Sequence, residues 1–237
     1  MKTIYHAANT RGVANHGWLK SKHTFSFANY HNPERMSFGA LRVINDDQVL
    51  GGQGFGVHPH HDMEIISIPL SGKLSHGDSI GNKGVIETGE IQVMSAGTGI
   101  THSEMNGDAH EPVKLLQIWV IPNKMNVRPR YQQMSLADII QPNQFNQVLS
   151  PNPDDAGVWI HQNAWFNLGE FDQGQMPTYR LNNTNHGVYA FVISGQVVIN
   201  GQTLDARDGL GVWNTEEFTV NIVDKAYVLL MEVPLNI

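Results

Sequence analysis

Apolar residues in this 237-residue chain fall in short runs rich in β-branched side chains, separated by Gly, Asn, Asp and Pro. Segments 41–44, 115–121, 188–193 and 228–233 have strand length and strand composition, so the pattern predicts an all-β protein. Asn200-Gly201, between Val197-Val198-Ile199 and Gln202-Thr203-Leu204, is the strongest hairpin signal, because both residue types tolerate the positive φ that a tight turn demands. Helical periodicity is scarce. The clearest helix expected is 135–140, where Ser135 and Asp138 have capping-box spacing and Pro142 ends the run.

The strand pattern repeats. Residues 68–74 (Ile-Pro-Leu-Ser-Gly-Lys-Leu) resemble 191–197 (Phe-Val-Ile-Ser-Gly-Gln-Val), an offset of 123, and Gly89 with the strand after it matches Gly209 with the strand after it, an offset of 120. Two copies of one barrel are therefore expected, residues 1–134 and 135–237, joined within 133–150, where Pro142 stands among Asn and Gln.

Composition narrows the chemistry. With 41% hydrophobic and 16% charged residues the chain can bury a core and is not of the disordered class. A net charge of −7 supplies no broad cationic field for nucleic acid or anionic membrane, so neither is an expected partner. Cysteine is absent, which leaves His and carboxylate as transition-metal ligands and suits a cytoplasmic location. The polar start and the lack of any apolar stretch of about 18 residues predict an unexported protein that does not span a membrane.

In 57–64 (Val-His-Pro-His-His-Asp-Met-Glu), strand alternation puts His58, His60, Asp62 and Glu64 on one face and His61 on the other. His102 and Glu104 have the same i, i+2 spacing and share a face if their segment is extended. Two such pairs meeting inside a barrel would offer three imidazoles and one carboxylate. That donor set suits Fe(II), Mn, Ni, Cu, Co or Zn and leaves positions open for small molecules. Glu64, deeper on the same expected face, is read as a hydrogen-bond acceptor or a base beside the metal rather than a ligand. Gly51, Gly52, Gly54 and Gly56 lack the helix that a dinucleotide loop needs and are read as barrel-corner glycines; Gly97-Thr-Gly99 lacks a phosphate-binding Lys.

These residues resemble the cupin superfamily, whose first motif is filled by Gly52, His58, His60, Glu64 and Gly72 and whose second is filled by Gly89, Gly97 and His102. The closer resemblance is to the pirin family, through segments 15–18 (Asn-His-Gly-Trp), 24–27 (Thr-Phe-Ser-Phe), 41–45, 58–60, 94–100 and 102–104. The resemblance implies a bicupin with one metal in the N-terminal barrel, held by His58, His60, His102 and Glu104, with Fe(II) the expected ion. Applying the repeat offsets puts Leu181, Asn183 and Ile222 where His58, His60 and His102 stand, and Gly187 where Glu64 stands, so a C-terminal barrel without metal is expected.

The activity implied is that of a quercetin 2,3-dioxygenase, with a flavonol and dioxygen as substrates, a depside and carbon monoxide as products, and Glu104 or Glu64 as the base. A monomer is expected. The alternative implied by the same family is a metal-dependent interaction protein with a protein partner and no physiological flavonol turnover.

Overall fold

The computed structural model describes residues 1–236. It is built almost wholly of strands; among the described residues the one helical element is a single 3-10 turn, Ala8–Thr10. Two sheets form the N-terminal barrel. The seven-stranded sheet runs in the order Arg130–Ser135, Glu90–Ser95, Glu64–Ser71, Val113–Val120, Leu41–Val49, Leu19–His23, Gly12–Asn15. Facing it, the four-stranded sheet has the order Gly54–His60, Ile100–Asn106, Lys73–Asp78, Lys83–Glu87.

The C-terminal barrel is drawn from one nine-stranded sheet in which His186–Ile199 and Glu217–Pro234 run long and pair along most of their length. Each corresponds to two strands of the first barrel. Gly195, at φ +83°, sits at register shifts within His186–Ile199, where Gly72, at φ +78°, divides Glu64–Ser71 from Lys73–Asp78. The expected Asn200-Gly201 hairpin is present, with φ of +49° and +77°, and it joins Ile199 to Gln202.

Alternation on the central strands decides which side chains serve the barrel interior and which serve the seam between barrels. Leu116, Ile118 and Val120, with Ile66 and Ile68, pack in one apolar cluster with Phe166, Tyr189, Phe191, Leu229 and Met231 from the other half. The intervening positions, Ser67 and Gln117, turn into the first barrel. Both faces are buried, which is why these strands read as nearly unbroken apolar runs.

Two expectations are corrected. Residues 135–140 are not a helix: Ser135 ends a strand, its hydroxyl accepts from the Ala137 amide at 3.3 Å, and only Ile139 and Ile140 bond back to Leu136, one turn held by a buried leucine. The division at 134/135 also omits a crossing, because Lys2–His6 pairs antiparallel with Gly209–Trp213 and so belongs to the second barrel's sheet. Tyr5 anchors it by donating to Asp208 at 2.7 Å.

Candidate metal centre

The strands Gly54–His60 and Ile100–Asn106 pair antiparallel with His102 opposite His58 and Ile100 opposite His60. A register irregularity between His102 and Glu104 then brings Glu104 opposite Phe55. Close approach of the two strands depends on Gly54, where a Cβ would land on the main-chain carbonyl of Glu104.

The imidazoles of His58, His60 and His102 form a triangle with ring centroids 4.4–4.9 Å apart, and one nitrogen of each lies within 4.8 Å of the others. The Nδ1 of His58 lies 2.7 Å from the Gly56 carbonyl, which only accepts, so Nδ1 is the donor and Nε2 is the nitrogen turned to the cluster as a candidate ligand atom. His102 is 2% exposed and neither of its ring nitrogens has a partner. Burial, reinforced by the neighbouring histidines, lowers His60 to about 4 and His102 to about 3. Both rings are therefore neutral at physiological pH and presented as ligands rather than as cations.

Glu104 is 1% exposed and held by two donors: Ser67 Oγ reaches Oε1 at 3.0 Å and Gln117 Nε2 reaches Oε2 at 2.6 Å. Burial raises its pKa, opposed by Ser67 and the nearby imidazoles. A buried imidazole with no hydrogen-bond partner, beside two further imidazoles and a buried carboxylate, is what a divalent ion satisfies, and the donor set fits one.

Two side chains with no place in the sequence reading join this cluster. His76 has a nitrogen within 4.8 Å of donor atoms of His102 and Glu104, and its Nε2 lies 3.1 Å from Asp78 Oδ2. The i, i+2 spacing of His76 and Asp78, the same as that of the metal pairs, was the available signal. Gln117 and Ser67, by contrast, carry no local motif.

Glu64 departs from its expected place. The chain turns at Asp62, whose φ is +44°, so the strand ends at His60 and a new one begins at Glu64 in the opposite sheet. There Glu64 alternates with Ser67 and faces the seam, where Ser95 Oγ donates to it at 2.6 Å and the Arg130 guanidinium stands near it. It is no base for the histidine cluster. Asp62 likewise turns away to accept from the Asn126 amide at 2.6 Å, while exposed His61 lies outside as expected.

Strand register also corrects the repeat alignment. Phe218 pairs with Tyr179 as His102 pairs with His58, Leu181 bonds to Glu216 as His60 pairs with Ile100, and Val220 lies opposite Ile199 as Glu104 lies opposite His76. The second barrel's counterparts of His58, His60, His102 and Glu104 are thus Tyr179, Leu181, Phe218 and Val220, all in one apolar cluster. The link from Leu181 to the next strand is longer than that from His60, so one offset cannot serve both sides of it.

A cavity of about 380 Å³ opens onto the cluster, with Trp18, Phe27, Phe55 and Trp119 as aromatic walls and His58, His60 and Glu104 at one side. A ligand-sized apolar chamber ending on a cluster of metal donors is the form of a small-molecule site.

Fold and site together define a two-barrel cupin protein whose leading barrel holds two overlapping donor groups, His58, His60 and His102, and His76, His102 and Glu104. The profile described as Pirin matches residues 6–120, and that described as a quercetinase C-terminal cupin domain matches 147–233. A quercetin 2,3-dioxygenase of Escherichia coli K12 is 44% identical over 96% of each chain, and a pirin-like protein of Caulobacter vibrioides is 38% identical over 93% of this chain and 95% of its own. The chain belongs to the pirin family. Among solved structures, the bacterial pirin YhhW of E. coli in complex with nickel(II) has a TM-score of 0.93 and 42% identity, covering 98% of this chain and 99% of that one.

Proposed function

We propose that the protein is a metal-dependent flavonol 2,3-dioxygenase that converts quercetin-like flavonols and dioxygen to a depside and carbon monoxide. His58, His60, His102 and Glu104 would hold the ion, for which we propose Fe(II). The observation that carries this reading is the triangle of imidazoles, with His102 buried and both its nitrogens unpartnered, near buried Glu104 at one side of an aromatic-walled cavity. The relatives named for quercetin dioxygenation and the nickel-bound pirin support it.

When bound, the ion supplies a Lewis acid for the substrate's enolate oxygen and open positions for small ligands. The rest falls to the chain. Glu104, its proton affinity raised by burial, takes the proton of the flavonol 3-hydroxyl. Ser67 and Gln117 keep its carboxylate oriented toward the cluster. Trp119 packs edge-on against His60, with centroids 4.9 Å apart, and Phe55, Trp18 and Phe27 exclude water from the flat rings of the substrate.

The test is quercetin absorbance with oxygen uptake for wild type and His60→Ala, alongside element analysis. The expected result is loss of both metal and turnover in the variant. Turnover persisting without bound metal would refute the reading, and metal binding without any turnover by the wild type would favour the interaction protein instead.

A further inference from the structure

The cavity has a second polar end. Asp47 and Asn45 lie on Leu41–Val49, in the sheet opposite the histidine pairs, and alternation turns both into the barrel while Asp46 points out toward Arg11. Most polar groups on this wall satisfy one another. His23 Nδ1 lies 2.7 Å from Asn45 Oδ1, and Gln117 is committed to Glu104. Two are not satisfied: Asp47, only 3% exposed, has an Oδ1 with no partner, and the indole Nε1 of Trp119 is buried without an acceptor.

A buried carboxylate oxygen and a buried N–H left unpaired each carry a desolvation cost that a bound group of opposite hydrogen-bonding sense removes. Asp47 calls for a donor, whereas Trp119, paired with Val43 and packed on His60, lies at the histidine end of the cavity. A hydroxyl or a phenol meets this demand, and the aromatic walls of the cavity suit a flat ring. A carboxylate-bearing ligand is disfavoured, since it would face both Asp47 and Glu104. Burial pushes the Asp47 carboxyl up to about 7, so near neutral pH it exchanges readily between accepting and donating.

We infer that Asp47 forms a subsite that binds a hydroxyl on an outer ring of the substrate and so selects polyhydroxylated flavonols over bare ones. This rests on the flavonol reading above. If the 3-hydroxyl meets the histidine cluster, a second hydroxyl carried across the ring system meets Asp47 on the facing sheet.

The experiment is anaerobic binding to the metal-loaded protein, followed by tryptophan fluorescence, with two probes: quercetin and 3-hydroxyflavone, which lacks every outer-ring hydroxyl. At pH 8, where Asp47 is ionised, wild type should bind quercetin roughly tenfold to a hundredfold more tightly, the range expected for one hydrogen bond to a charged group. Asp47→Ala should bind the two about equally while keeping its affinity for 3-hydroxyflavone, which also reports that the cavity is intact. Asp47→Asn, which conserves volume and one acceptor oxygen, should show an intermediate preference and carries the test if the alanine variant does not fold.

A preference unchanged in either variant, or no preference in the wild type, would overturn the subsite while leaving flavonol binding standing. Failure of the wild type to bind either probe would remove the flavonol reading and the subsite together.

Discussion

Gln117 shows how much a single unremarkable polar residue carries here. It is buried within an otherwise apolar run, and its amide is one of two donors fixing Glu104, at 2.6 Å. Partners that orient a ligand typically contribute tenfold to a hundredfold to metal affinity. Gln117→Leu should therefore weaken metal binding by about that factor, read by competition with a chelator, while the metal-free protein keeps its fold.

Glu64 gives a prediction of a different kind. Burial raises it from 4.5 to about 7, against the opposing pull of Ser95 and Arg130. A carboxyl that binds its proton more tightly when folded contributes stability fully below its unfolded pKa and loses it as pH rises through the folded one. That contribution fades between about pH 4.5 and 7, and the shift corresponds to roughly 3 kcal/mol. Glu64→Gln should remove this slope, raising Tm relative to wild type more at pH 8 than at pH 5, with quercetin turnover preserved.

At the level of elements, the site is made by one strand pair, and its glycines differ in what they do. Gly54 admits the Glu104 carbonyl, whereas an added Cβ at Gly56 meets nothing within 4 Å. Gly54→Ala should cost about 1–3 kcal/mol by overpacking and lower metal affinity, because the pairing that aims Glu104 is displaced. Gly56→Ala should lie within about 0.5 kcal/mol of wild type in denaturant unfolding and bind metal normally. The composition of the glycine run announced a tight corner without saying which glycine bears the contact, since that depends on the chain opposite.

Each barrel has an apolar cluster of its own, and a larger shared cluster at the seam joins the two. Ile66, Ile118, Phe191 and Met231 belong to one cluster, Arg130 lies over the Trp159 ring at 3.8 Å, and Lys2–His6 crosses to the far sheet. The barrels should therefore unfold together. Calorimetry of the metal-free protein is expected to show one transition with matching calorimetric and van't Hoff enthalpies. Ile118→Ala should lower that single transition, costing about 2–4 kcal/mol, rather than split it in two.

Strand composition, the doubled pattern, the Asn200-Gly201 turn and the two His-x-His/His-x-Glu pairs could all be read along the chain, because each rests on alternation or turn chemistry acting over a few residues. Glu64, the 135–140 segment, the ligand counterparts in the second barrel and the crossing of Lys2–His6 could not. A positive φ at Asp62 sends Glu64 to another sheet, burial of Leu136 overrides a cap, and pairing register sets which residues face each other. Asp47 and Gln117 reach the cavity, and His76 reaches His102 and Glu104, from strands far apart in sequence, and side chains that meet only across a closed barrel leave no local trace of their meeting.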